Sequence, residues 1–233
     1  MIQRVYEQAQ KANSLDRIIV ATDDERIAQN VKSFGGEVVM TSPTHTNGTE
    51  RCLEVFFELN TAALTSNLVN KSGKKAGFNY DIVFNIQGDE PFINPDDIDK
   101  VVALIKTQTF DIATLAKKIT NPEDIENPNI VKVVFDLNHK ALYFSRHAIP
   151  YVRDKITATT PAFYQHIGLY AFKGSTLLKL PQFQQSTLEK AESLEQLRWL
   201  ENGLTIGVAE TENTSISIDT PDDLKKAWYF HER

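Results

Sequence analysis

Apolar residues at Ile2, Val5, Tyr6 and Ala9 recur with helical spacing, so the chain is expected to open on a helix. Arg17 to Thr22 is a nearly continuous apolar run, the pattern of a strand buried on both faces. Asp23 is placed to cap a helix bearing Ile27, Ala28, Val31 and Phe34, which Gly35 and Gly36 end. Residues 37–41 read as a second strand, and a polar loop then leads to a helix over 49–65. Asn, Lys, Ser and Gly crowd residues 66–80, which suggests an exposed insertion. Strand pattern returns over 81–86, and Pro95 stands at a first helical position ahead of Ile98, Val101, Val102 and Ile105. Further strands are expected over 111–119, 130–135, 141–144, 167–173, 204–210 and 215–218, with helices over 187–201 and 221–231.

Strands alternating with helices predict an α/β fold, a doubly wound and mostly parallel sheet within a single domain spanning 1–233. Such a domain ordinarily opens on a strand whose following loop meets a phosphate at the next helix N-terminus. Here the first element is already a helix. Either that strand and its anion-binding loop are missing from the front, or the fold starts on a helix.

Composition narrows the function. The 233 residues are 41% hydrophobic and 24% charged, as in an ordinary globular protein. A net charge of −6 gives no electrostatic support to a duplex nucleic acid partner. Anionic small substrates would therefore need a locally basic pocket or a metal ion. The single cysteine, Cys52, excludes an intrachain disulfide and suits a reducing cytoplasm; its apolar neighbours make it a small buried hydrophobe. No apolar run approaches the length of a membrane span.

Asp89 holds the most telling position. It follows a buried strand in Gln87-Gly88-Asp89-Glu90-Pro91, and ligands of open α/β sheets bind at the carboxyl ends of strands. With Glu90 it offers the carboxylate oxygens that Mg²⁺ favours. Asp219 precedes Thr220-Pro221-Asp222-Asp223, whose Thr and Pro read as a helix cap and first turn. The helix does not require Asp219, so the spacing leaves metal binding and a place outside the cap equally open. Gly48-Thr49-Glu50-Arg51 opens a helix whose free amides favour an anion or a polar base, and Arg51 brings a planar fork of donors. The Lys71-Ser72-Gly73-Lys74-Lys75 string lacks the spacing of a phosphate loop, and no Gly-x-Gly-x-x-Gly follows a strand.

Taken together, the strings IIVATDD (18–24), GGEVVMT (35–41), NGTER (47–51), NIQGDEP (85–91), NPNIVKVV (127–134), ALYFSR (141–146), HIGLYAF (166–172), LEQLR (194–198) and DTPDDL (219–224) resemble the 3-deoxy-manno-octulosonate cytidylyltransferase (CMP-Kdo synthetase) family of Gram-negative bacteria. The resemblance runs in family order over nearly the whole chain. It implies a nucleotide-diphospho-sugar transferase-like fold and a cytoplasmic homodimer. The implied reaction joins CTP and Kdo to give CMP-Kdo and pyrophosphate for lipopolysaccharide biosynthesis, with Mg²⁺ as cofactor. Asp89 and Asp219 match the family's catalytic metal carboxylates, while Thr49 and Arg51 fall at the nucleotide. Gln87, Arg146, His166, Tyr170, Glu195 and Gln196 fall where the family gathers the sugar acid. Residues 130–170 are expected to carry sugar-binding and dimer contacts.

The family's opening strand and its Pro-Ala-Arg-x-x-Ser-x-Arg-x-Pro-Gly-Lys loop find no match, which is the helix-first feature seen from the motif side. Asn47 stands where a serine is usual, and Thr44 where an acidic residue is common. Two other readings remain beside the enzyme: an inactive module that keeps sugar binding and dimer contacts, and a cytidylyltransferase for another acidic sugar.

Overall fold

The computed structural model describes residues 1–65, 80–107, 109–153, 161–214, 217, 218, 220, 223 and 225. The chain forms two compact units, residues 1–99 with 214–233 and residues 100–213. The expected insertion at 66–80 lies almost wholly outside the described residues, as do most of the 215–218 strand and the 221–231 helix.

The first unit opens on α1 (Ile2–Ala9), whose Val5 and Ala9 are buried on one stripe. β1 (Val20–Thr22) follows, then α2 (Glu25–Ser33) and β2 (Val38–Met40). β1 and β2 pair in parallel, Val20 opposite Val38, and α2 packs on both as the crossover that parallel strands need. Ala28 and Val31 are the fully buried residues of α2. Gly35, at φ +79°, ends this helix in a left-handed conformation that suits glycine. The helix cap belongs to Asp24, whose carboxylate accepts from the Arg26 amide at 2.8 Å, and not to Asp23 as the sequence suggested. Asp23 is used elsewhere. α3 (Gly48–Thr65) packs against β1 and β3 (Ile82–Asn85). Gly48 makes this contact close: a Cβ there would lie 3.1 Å from the Asn85 side-chain nitrogen, so that side chain would have to shift by a few tenths of an ångström.

α4 (Pro95–Thr107) begins on the Asn94 side chain, which accepts from the Asp96 amide at 2.9 Å. The second unit then builds a sheet from β4 (Ile112–Lys118), β5 (Lys132–Phe135), β6 (Ala141–Ser145), β7 (Tyr164–Lys173) and β8 (Ile206–Thr211). Their order is β6-β5-β7-β4-β8. β4 runs parallel to β8 but antiparallel to β7, and β5 is antiparallel to both β6 and β7. The α/β expectation holds, but the sheet of this unit is mixed, not mostly parallel. A run such as Ile112–Ala116, buried at every position, shows that a strand is covered on both faces and says nothing about its neighbours' direction.

The helix expected over 187–201 is two helices, α7 (Thr187–Glu192) and α8 (Glu195–Glu201), following the short helices α5 (Pro122–Glu126) and α6 (Gly174–Leu177) earlier in the unit. Ser193 adopts the left-handed conformation (φ 53°, ψ 49°) and turns the chain between them. α7 starts on a capping box, the Ser186 hydroxyl accepting from the Glu189 amide while the Glu189 carboxylate accepts from the Ser186 amide. α8 packs on β6 through its buried face, which includes Gln196, Leu197 and Trp199.

Candidate active site

In the first unit the sequence-predicted residues gather at the carboxyl ends of the strands. Gln87 to Glu90 form a turn directly after β3, closed by the Glu90 amide donating to the Gln87 carbonyl at 3.3 Å. Gln87 and Gly88 are exposed and Asp89 is half-buried. The Ser217 hydroxyl donates to Asp89 Oδ2 at 3.1 Å, and the Ile218 amide donates to the Asp89 carbonyl at 2.9 Å. These bonds end one residue short of Asp219, which itself lies outside the described residues. Among the described residues no cluster of three His, Cys, Asp or Glu side chains could hold a metal. Asp89 alone suits a hard cation: one carboxylate oxygen takes the Ser217 hydroxyl and the other carries no hydrogen bond within the described residues.

Arg51 sits in the first turn of α3. Nη2 pairs with Asp23 Oδ2 at 3.2 Å, while Nη1 donates to Thr41 Oγ1 at 2.9 Å and to the Ser42 carbonyl at 3.3 Å. A single planar guanidinium thus ties the residue after β1 to the residues after β2. The start of α3 is set by Asn47, whose side-chain oxygen accepts from the Glu50 amide at 2.9 Å. Glu50 reaches back to the Thr46 amide at 2.8 Å. Thr49 is buried inside that turn. Beside it, Glu54 accepts from the Ser42 amide at 2.9 Å and pairs with His45, and both bonds hold its carboxyl below the ordinary range. Cys52 is half-buried, not buried as expected, yet desolvation pushes its pKa up to about 12 and holds it as a thiol.

The other five candidates, Arg146, His166, Tyr170, Glu195 and Gln196, lie in the second unit, where His166 and Glu195 are brought to Tyr170. His166 and Tyr170 lie four positions apart on β7, which in a regular strand separates residues by about 13 Å. Their ring centroids are 5.4 Å apart. The cause is a bulge: Thr114 pairs with Tyr170 but Leu115 pairs with Ile167, so Gly168 and Leu169 have no counterpart on β4. Phe144 meets the His166 ring edge-on at 4.9 Å, and Trp199 of α8 meets Tyr170 edge-on at 5.0 Å. Desolvation drives the His166 pKa down to about 3, so the imidazole is neutral. Desolvation also raises the Tyr170 phenol well above its ordinary value, and the Glu195 carboxylate adds to the rise. Gln196 is buried next to Glu195 at the start of α8.

Arg146, expected to receive a carboxylate, is already held by carbonyls. Nε donates to Glu192 O at 2.7 Å, Nη1 to Pro128 O at 3.1 Å and Nη2 to Ser193 O at 3.4 Å. It therefore caps the C-terminus of α7. Among the described residues three of its five N–H donors are committed, which leaves one on each terminal nitrogen for an anion. Glu192 fixes the same corner, accepting from the Arg146 amide at 2.9 Å and the Ser145 hydroxyl at 2.7 Å. Beneath lies Lys132, fully buried, with Nζ donating to Asn127 O at 2.8 Å and to Ile130 O and Arg146 O at 2.6 Å each. Desolvation and the neighbouring Arg146 charge lower its pKa, against the pull of Glu126 and Glu192.

Sequence reasoning passed over Asp23, Thr41, Thr114, Lys132 and Glu192. Two carried a signal. Lys132 interrupts an apolar strand, and Glu192 places a negative charge at a helix C-terminus, where the dipole disfavours it.

Comparison with known proteins gives the class, a nucleotide-sugar-forming transferase. The chain superposes over 98% of its length on a glucose-1-phosphate thymidylyltransferase from Bacillus anthracis, with a TM-score of 0.60 at 13% identity, a likeness of fold alone. A CMP:2-keto-3-deoxy-manno-octonic acid synthetase solved with CTP matches far better, with TM-score 0.86 and 35% identity over 100% of this chain and 88% of that one. Residues 1–206 match the cytidylyltransferase family. The 3-deoxy-manno-octulosonate cytidylyltransferases of Parabacteroides distasonis and Bacteroides thetaiotaomicron are each 48% identical over 99% of this chain and 87% of their own length. The chain belongs to this cytidylyltransferase family, and it is a transferase. Among the described residues no helix is long and apolar enough to cross a membrane.

Proposed function

We propose that the protein transfers the cytidylyl group of CTP to Kdo, forming CMP-Kdo and pyrophosphate for lipopolysaccharide biosynthesis in the cytoplasm. The single observation that carries this reading is the 48% identity to named 3-deoxy-manno-octulosonate cytidylyltransferases over 99% of the chain. The sugar's anomeric hydroxyl releases its proton to water as its oxygen forms the new bond to the α-phosphorus of CTP, the bond from that phosphorus to the bridging oxygen breaks, and pyrophosphate leaves.

The residue roles are those that the resemblance to this family implies, and the chemistry of the side chains supports them. Arg51 and Thr49, at the first turn of α3, are assigned to the cytidine end of the nucleotide, where a buried hydroxyl and a rigid fork recognise polar base edges. Asp89 and Asp219 are assigned to a divalent cation, Mg²⁺, which when bound supplies positive charge against the developing charge on the phosphate oxygens. Gln87, Arg146, His166, Tyr170, Glu195 and Gln196 are assigned to the sugar acid. The two N–H groups left on Arg146 suit the Kdo carboxylate, and His166, Tyr170 and Glu195 suit hydroxyls. Residues 130–170 present Leu137, Leu142 and Tyr151 to solvent, which supports a homodimer contact in that portion.

Pyrophosphate release with CTP and Kdo tests the reading. Turnover is expected to need Mg²⁺ and to fall at least about 100-fold in Asp89→Ala, the scale of losing charge stabilisation in the transition state. Near-normal turnover in that variant would remove Asp89 from the metal. A higher kcat/KM for sialic acid or an amino-Kdo than for Kdo would reassign the sugar.

A further inference from the structure

Thr114 is the hydroxyl within the apolar run Ile112–Ala116 and is fully buried. Three polar atoms surround its Oγ1: Leu169 O at 2.7 Å, His166 Nε2 at 3.0 Å and Ile167 O at 3.2 Å. The two carbonyls flank Gly168 in the bulge of β7, where pairing with β4 is interrupted. A hydroxyl has one hydrogen to give, and a carbonyl oxygen only accepts. Two oxygens 2.7 Å apart with no hydrogen between them repel, so the Thr114 hydrogen points at the Leu169 carbonyl. Toward His166 the hydroxyl can then only accept, and Nε2 must carry a proton. Desolvation keeps the ring neutral, so that proton is its only one. Nδ1, which has no hydrogen bond among the described residues, is left as a lone pair.

We propose that Thr114 is a positioning residue for the sugar-acid site, holding His166 as the Nε2–H tautomer so that Nδ1 serves as an acceptor for a substrate hydroxyl. The proposal rests on the assignment of His166 to the sugar site made above. It also sorts the ligand's groups. A carboxylate cannot donate, so His166 meets a hydroxyl of the sugar and leaves the carboxylate to Arg146. One threonine thereby both closes the bulge that brings His166 to Tyr170 and sets the polarity of the histidine.

The experiment uses the full chain labelled with ¹⁵N-histidine. Long-range proton–nitrogen NMR is expected to show His166 as a single neutral Nε2–H tautomer, and Thr114→Val to show a mixture of tautomers. In the same variant the KM for Kdo is expected to rise about tenfold, the scale of one misdirected hydrogen bond, while kcat and the KM for CTP stay within about twofold. Thr114→Ser keeps the hydroxyl and is expected to restore both readouts. A wild-type Nδ1–H tautomer overturns the proposal, and that spectrum needs no variant, so it decides the point even if Thr114→Val does not fold. An unchanged Kdo KM in a folded Thr114→Val chain that has lost the single tautomer overturns it as well. His166→Ala separates the two levels. If that variant leaves the Kdo KM unmoved, the sugar-site assignment of His166 fails and takes the proposal with it. If it raises the KM while Thr114→Val does not, only the role of Thr114 fails.

Discussion

His166 shows how far a residue's surroundings change its meaning. As a lone histidine at a strand start it reads as structural, yet its ring lies against Phe144 and Tyr170 with Nε2 on a threonine hydroxyl. Desolvation carries its pKa from 6.5 to about 3, which has a thermodynamic consequence. Between those values the unfolded chain takes up a proton that the folded chain refuses. The stability linked to this group is therefore complete above about pH 6.5 and is lost as the pH falls toward about 3. Urea-unfolding midpoints measured from about pH 7 down to about pH 4 are expected to fall less steeply for His166→Gln than for the wild type. Parallel slopes for the two chains would show that the imidazole titrates normally when folded. Arg51 and Arg146 teach a related lesson. Both were read as cations for an anionic substrate, but their carbonyl, hydroxyl and carboxylate partners come from residues 9 to 47 positions away in the chain, where no local pattern reaches.

Elements were legible where burial imposes a period, and they went astray where a single residue breaks one. The helical stripe of α1, the buried run of β4 and the Pro95 start of α4 stand where periodicity placed them. The helix over 187–201 was misread as continuous because Ser193 breaks it through a left-handed backbone that serine rarely adopts and that spacing does not reveal. β7 begins at Tyr164, three residues earlier than its apolar pattern, because pairing with β4 continues through the polar residues Gln165 and His166. β8 offers a test of packing at this scale. A Cβ on Gly207 would lie 2.3 Å from Cδ2 of Phe110, a ring that is itself buried. Gly207→Ala is expected to lower stability by about 1–3 kcal/mol, the usual cost of overpacking, as read from the denaturation midpoint. A change under about 0.5 kcal/mol would mean that Phe110 swings aside freely.

At the scale of the whole molecule, the proposed homodimer is open to a direct measurement. Leu142 is 58% exposed on β6, at one end of the second unit's strand order, and Leu137 in the β5–β6 turn is fully exposed. Light scattering is expected to give twice the 26.3 kDa of one chain, and Leu142→Glu to shift the mass toward the monomer. A wild-type monomer at micromolar concentration would remove the dimer from the proposal. The sequence by itself determined the α/β class and the family, because buried periodicity and short motifs such as NIQGDEP are local properties of the chain. Only the tertiary structure decided that the second unit's sheet is mixed, that Arg51 joins the ends of two strands, and that a bulge brings His166 to Tyr170 over Thr114. Those features depend on strand direction, register and hydrogen-bond partners, which are set between segments far apart in the chain. Asp89 belongs to both: its motif marked it as an acid beside a strand, and the fold gave it Ser217 and Ile218 as neighbours.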